Sequence, residues 1–175
     1  RQRQMCIRDR VSCMEINEKF QKQLNEQVTA EHQAALVYTQ LAYELDRLSF
    51  DGMSSWMQAQ ADEEREHAQK FAQHLLDRDA RVDIETVEMP SLKISTPLDA
   101  FEASLEHERK VSALIRDLVK TADEVGDIDS RNLLNFFLEE QIEEEATVSN
   151  IVDRIKLVGN DGSGLLRIDA ELGNR

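Results

Sequence analysis

Four stretches of this chain place an apolar residue every three or four positions, and each breaks that seam at mid-length with hydrophilic side chains. The first seam runs Leu24, Val28, Glu31, Ala35, Tyr38, Ala42, Leu45, and the second Met57, Gln60, Glu64, His67, Phe71, Leu75. The third runs Phe101, Leu105, Glu108, Ser112, Ile115, Val119, and the fourth Leu134, Phe137, Gln141, Glu144, Val148, Ile151, Ile155. Alternating steps of three and four residues put a whole seam on one face of an α-helix, the face that a helix buries. A buried polar group without a partner costs about 2–7 kcal/mol and an isolated charge more, so the interruptions must meet one another or something that compensates them.

Their spacing says that they meet. Glu31 to Glu64 is 33 residues and Glu108 to Gln141 is also 33, while Glu31 to Glu108, Glu64 to Gln141 and His67 to Glu144 are each 77. The chain therefore repeats one helical hairpin at a fixed offset. The midpoints of the two 33-residue pairs fall near residues 47–48 and 124–125, beside the expected turns, so folding each hairpin brings its polar groups to one level. We read long helices at roughly Glu15–Arg47, Met53–Asp79, Leu98–Val125 and Ile128–Leu157, with turns at Asp51-Gly52 and Gly126-Asp127. Both prolines, Pro90 and Pro97, lie in an aperiodic stretch from Asp83 to Pro97, which serves as a long crossover between helices two and three. A short amphipathic segment, Leu165 to Leu172, follows Asn160-Asp161-Gly162-Ser163-Gly164. The fold expected is all-α, a four-helix bundle with a long crossover and a short fifth C-terminal helix.

Residues 1–13, RQRQMCIRDRVSC, have no amphipathic period and hold both cysteines, Cys6 and Cys13; they are read as a non-native or disordered segment ahead of one domain at 14–175. That domain then has no cysteine, which removes a structural disulfide, a CxxC metal site and a thiol nucleophile from consideration. The whole chain carries a formal charge of −14, and 14–175 alone has 17 basic against 34 acidic residues, a net −17. Such a surface repels nucleic acid and anionic membranes and attracts cations. With no apolar run long enough for a membrane span and no apolar leader, the expected setting is cytoplasmic, with neither nucleic acid nor membrane as partner.

Six groups converge at mid-bundle: Glu31, Glu64, His67, Glu108, Gln141 and Glu144, four of them carboxylates. Left to themselves the carboxylates repel one another; cations among them would offset the charge and give each oxygen a partner. Carboxylate with imidazole suits iron or manganese, and Glu64-x-x-His67 puts two ligands on one helical face. With Glu31 and Glu108 on two other helices, this is the arrangement of a di-metal carboxylate site. The fourth helix has Gln141-x-x-Glu144 where the second has Glu-x-x-His, so the second metal is expected to have fewer firm ligands and to exchange more readily. His32, His74 and His107 are read as ordinary structural histidines, Trp56 and Met57 as core or subunit contact. Asp123, Asp127 and Asp129 are turn residues that double as candidates for an iron path.

The segments NEQVTAEHQAALVY, ADEEREHAQKFAQHLLDRD, LEHERKV, FFLEEQIEEEA and VGNDGSGLLRIDAEL resemble the non-haem ferritins of bacteria and archaea, over essentially all of 14–175. The resemblance implies a ferroxidase centre in which Glu31, Glu64 and His67 hold one iron and Glu64, Glu108 and Glu144 the other, with Gln141 nearby. It implies Tyr38 as a redox-active or hydrogen-bonding tyrosine beside the centre, and Glu63, Glu140 and Glu143 as a third iron site on the inner side. It further implies a homo-oligomeric shell of 24 subunits, a fifth helix lining a symmetry axis, and iron storage: Fe(II) oxidised by dioxygen or hydrogen peroxide, Fe(III) kept as mineral. Haem is not expected, because Arg65 stands where haem-containing relatives carry Met and Gln141 and Glu144 replace their second Glu-x-x-His. Rubrerythrins add a four-cysteine iron module that 14–175 lacks, and the starvation-type miniature ferritins lack this repeat. The rival expectation is a di-metal carboxylate bundle that does not store iron, a metal scavenger or peroxide-detoxifying protein.

Overall fold

The computed structural model describes residues 15–174, so the reading of residues 1–13 lies outside the described residues. Five α-helices make up the fold: α1 Glu18–Arg47, α2 Asp51–Asp77, α3 Pro97–Val125, α4 Arg131–Val158 and α5 Gly162–Leu172. α1 packs along α2 and α3 along α4, α1 also meets α3, and α5 sits on α2 and α4. Among the described residues, no helix is long and apolar enough to cross a membrane.

Local chemistry sets the helix ends. The Asn17 side chain accepts from the N–H groups of Lys19 and Phe20 and so starts α1. Thr96 and Asp99 form a reciprocal capping box at the head of α3, with Pro97 at its first position. Gly126 ends α3 at φ 70°, a left-handed conformation that costs a residue without Cβ nothing. α4 starts three residues later than its periodicity suggests, because Asp127 accepts from the Ser130 N–H while its carboxylate takes both oxygens' worth of contact from Arg78 Nη1, at 2.9 and 2.8 Å. Arg78 also donates to Ser130 Oγ at 3.0 Å, and His74 Nε2 lies 2.7 Å from the same hydroxyl. This buried ion pair ties the end of α2 to the α3–α4 turn. Asp127 is thus committed to structure, and Asp123 pairs with Arg131 at 3.1 Å.

The crossover, residues 78–96, has no regular secondary structure, and α1 supplies the partners its backbone lacks. Asn25 takes the Asp83 N–H at 2.7 Å and donates to the Arg81 carbonyl at 3.0 Å; Thr29 accepts from the Glu85 N–H at 3.0 Å; Gln33 donates to the Glu88 carbonyl at 2.6 Å. Positions 25, 29 and 33 succeed one another at one-turn steps, a polar ladder beside the apolar seam.

The seams are buried as their period requires, apart from Val119, which is half-buried while Leu118 beside it takes the core position. The apolar interior is in two parts. One cluster gathers Leu41, Leu45, Met53, Trp56, Phe101, Val148 and Ile155, and the other Phe20, Leu24, Phe71, Leu75, Ile115, Leu134 and Phe137. Each fully buried side chain of this size contributes about 1.5–3 kcal/mol, and the polar layer lies between the two.

The Asp51-Gly52 turn of the sequence reading is displaced: the turn is 48–50, with Ser49 at φ 67°, and Gly52 is inside α2. Its role is close approach to α5. A Cβ on Gly52 would stand 1.9 Å from the Asp169 carbonyl oxygen and 3.1 Å from the Gly173 nitrogen. The Asp169 carboxylate accepts from the Met53 N–H at 2.8 Å, capping α2 from another helix where Phe50 offers no side-chain cap. Gly52→Ala is therefore expected to push α5 off α2 while α1–α4 stay folded; hydrogen exchange and limited proteolysis should show loss of protection confined to residues 162–174.

Candidate metal centre

The polar layer is built from one level of each long helix. Glu31 on α1, Glu64 and His67 on α2, Glu108 on α3, and Gln141 and Glu144 on α4 are all buried, Glu31 and Glu108 at 0% exposure. Glu31, Glu64 and His67 each offer a ligand atom within 4.8 Å of the others. Among the described residues no second set of three closes to that spacing, so Glu108 and Glu144 share the layer without converging on the same point. The His67 ring is held edge-on to Phe137 and Phe136, at 5.3 and 6.4 Å between centroids, with Nδ1 3.2 Å from Glu64 and Nε2 3.7 Å from Glu140.

Neutral donors hold most of the carboxylates. Gln27 donates to Glu31 Oε1 at 2.8 Å, Gln60 to Glu144 Oε2 at 2.8 Å, and Gln141 to Glu108 Oε2 at 3.1 Å. The Tyr38 hydroxyl donates to Glu108 Oε1, and its ring packs edge-on to Trp56. Gln141 also donates to Ser112 Oγ at 3.2 Å, and the Ser112 hydroxyl donates to Glu145. An ionised carboxylate has only acceptors, so this arrangement turns the Gln141 amide N–H groups toward Glu108 and places Gln141 as a donor. Glu31 Oε2 is buried and meets no amide or hydroxyl donor, and a carboxyl–carboxyl hydrogen bond links Glu31 with Glu64.

The electrostatics follow from burial. Desolvation, then the charge of Glu64, pushes the Glu31 carboxyl well above the usual carboxylate range; desolvation, then Glu108, does the same to Glu64. Glu108 is raised by burial against the hydrogen bonds from Tyr38 and Gln141, which favour its charged form. Burial and the charge of Glu108 push Glu144 up to about 7, and Tyr38 is raised well above its ordinary value by burial and by Glu108. A cation would reverse each of these penalties. Hard anionic oxygens with one imidazole fit iron or manganese, and Glu31 keeps one oxygen that no amide or hydroxyl donor occupies.

The remaining sequence candidates lie at the margin of this layer. Glu63 and Glu140 are half-buried and Glu143 is exposed; the charge of Glu63 adds to the penalty on Glu64 and Glu144. Trp56 and Met57 are core. His107 follows the sequence reading in standing apart from the cluster, with burial pushing it down to about 4 and its Nε2 unpartnered. Gln27 was missed as a site residue and Gln60 was read only as part of a seam. The signal was available: both lie one turn before Glu31 and Glu64, and they too are 33 apart.

A profile described as a ferritin-like domain matches residues 21–158. The chain is 37% identical over 160 residues to a bacterial non-heme ferritin of Bacteroides fragilis, covering 91% of this chain and 99% of that protein. It is 35% identical to a bacterial non-heme ferritin of Campylobacter jejuni, covering 91% and 95%. An open-pore ferritin from the archaeon Archaeoglobus fulgidus superposes with a TM-score of 0.90 at 38% identity, covering 93% of this chain and 99% of that one.

Carboxyls raised in the folded state bind protons more tightly there than in the unfolded chain. Their contribution is fully present below the unfolded value of 4.5 and is lost as pH rises through the folded value, about 7 for Glu144. The melting temperature of the metal-free protein is therefore expected to fall as pH rises above about 4.5, and Glu144→Gln to flatten the part of that fall between about pH 4.5 and pH 7. Scanning calorimetry across the range checks it; a melting temperature that climbed with pH would contradict the assignment.

Proposed function

The chain belongs to the ferritin-like domain family, and from that premise we propose that it is an iron-storage ferritin with a ferroxidase centre in the polar layer. The observation that carries the reading is the Glu31–Glu64–His67 group, a buried set of ligand atoms within 4.8 Å of one another in which one Glu31 oxygen meets no amide or hydroxyl donor. Iron is the substrate. Glu31, Glu64 and His67 hold one Fe(II), and Glu64, Glu108 and Glu144 the other, with Glu64 between them. Each Fe(II) gives up one electron; with dioxygen as oxidant, the pair of electrons and two protons yield hydrogen peroxide. Carboxylate ligands favour this direction because anionic hard oxygens stabilise Fe(III) over Fe(II). Hydrolysis of Fe(III) then releases protons, for which the raised carboxyls are ready acceptors as they lose their metal.

Tyr38 and Gln141 hold Glu108 from both of its oxygens, which fixes the second position from the α3 side. Glu63, Glu140 and Glu143 provide the next carboxylates outward, a path for Fe(III) toward the interior of a 24-subunit shell in the cytoplasm. No cysteine lies among the described residues and Arg65 pairs with Asp62, so neither a thiolate centre nor a haem ligand at that position enters the chemistry. A scavenging bundle would bind Fe(II) without turning it over, which separates the two readings.

Glu64→Ala and His67→Ala are each expected to slow Fe(II) oxidation by more than about 100-fold, beyond the 10–100-fold typical of outer-shell partners, with the oligomer still assembled. Stopped-flow absorbance of the ferric product, together with light-scattering mass, measures both; oxidation at the parent rate would remove the site.

A further inference from the structure

Besides Gln141, two further glutamines, Gln27 and Gln60, are buried beside the layer. Gln27 and Gln60 are 3% and 1% exposed, each four residues before a layer carboxylate on its own helix. Their hydrogen bonds go to different places. Gln27 stays on α1 and donates to Glu31 Oε1 at 2.8 Å, while Gln60 reaches from α2 to Glu144 Oε2 on α4, also at 2.8 Å. Glu31 belongs to the closed set with Glu64 and His67, and Glu144 does not.

An amide suits this task. Arginine or lysine in the same place would neutralise the carboxylate and repel a cation, whereas an aliphatic side chain would leave both oxygens free to turn. A neutral N–H donor holds one oxygen by a hydrogen bond and leaves the negative charge for a metal on the other. For Glu31 the result is visible: Oε1 is occupied by the amide, and Oε2 meets no amide or hydroxyl donor. We propose that Gln27 and Gln60 are positioning residues, one for each metal position, Gln27 acting through Glu31 on the first and Gln60 through Glu144 on the second. The inference rests on the di-metal reading above and adds to it which residue controls which position.

The test is an anaerobic Co(II) titration of the assembled protein, followed by visible absorption and calorimetry. Gln27→Met and Gln60→Met keep side-chain length and remove the N–H; Gln27→Asn and Gln60→Asn keep an amide that falls short, and carry the same test should a Met variant fail to fold. Glu31→Gln and Glu144→Gln mark which isotherm belongs to which position. Two Co(II) per chain are expected in the parent protein. The Gln27 variants should weaken the Glu31 position by about 10–100-fold and leave the other unchanged, and the Gln60 variants the reverse. Parent-like isotherms in both, or equal weakening of both positions by each variant, would overturn the inference while the di-metal reading stood. Fewer than two Co(II) per parent chain would overturn the di-metal reading itself, and this inference with it.

Discussion

Four carboxylates sealed into one layer of a helical bundle are the constraint on which the rest of this structure depends. The layer separates two apolar clusters, so neither cluster can spread over it and water cannot reach Glu31 or Glu108. Burial and the neighbouring carboxylates hold Glu31 and Glu64 well above their ordinary range, so a proton relieves the repulsion where no cation does. The bundle must therefore be stable from its ends, and the packing is arranged so. Each apolar cluster closes one half, the Arg78–Asp127–Ser130 network locks the end that carries the α3–α4 turn, and α5 is fastened to the start of α2 by Asp169. Stability at the ends permits strain at the middle.

Neutral hydrogen bonding is how the layer stays ordered without being discharged. Gln27, Gln60, Gln141 and Tyr38 donate to Glu31, Glu144 and Glu108, and no lysine or arginine is among these donors. A buried ion pair is used where nothing needs to bind, at Arg78 and Asp127. The same chain thus treats two sets of buried carboxylates oppositely: the structural one is neutralised by a guanidinium, and the layer carboxylates are held by amides and a phenol. Carboxyls held by neutral donors can exchange their protons for an entering cation, which a guanidinium in the same place would repel.

Much of this was legible in the sequence because helical period and spacing are local and arithmetical. The 33- and 77-residue offsets put Glu31, Glu64, His67, Glu108, Gln141 and Glu144 at one level, and the structure buries all six there. Val119 shows the limit of the period: the buried positions of α3 repeat every seven residues, Phe101, Glu108, Ile115 and Ala122 with Ser104, Val111 and Leu118, and on that shorter period Leu118 takes the core position in place of Val119. The features that were not legible depend on contacts between distant segments. Gly52 read as a turn because glycine after aspartate usually is one, whereas the residue it makes room for, Asp169, lies 117 positions away. The Asn25, Thr29 and Gln33 ladder carries no signal in the sequence, because the crossover it holds has no period of its own. Gln27 was hidden by its chemistry, since a glutamine next to an apolar seam carries no charge to draw attention.

The two halves of the repeat have diverged in one respect that bears on turnover. The α1–α2 hairpin brings three ligand atoms to within 4.8 Å, while its counterpart, α3–α4, has Gln141 facing Glu108 as a donor and leaves Glu144 apart with Gln60. A repeat that kept both halves equal would hold two cations equally well and release neither. Substituting an amide for a carboxylate at one position removes one anionic ligand and uses the replacement to steady another. On the proposed di-metal reading, the first half has its ligand atoms already within reach of one another, and Glu108 and Glu144 would have to move inward to hold a second ion. Under that proposal the difference would give the site a direction, since an ion whose ligands must move to hold it is the one expected to leave first.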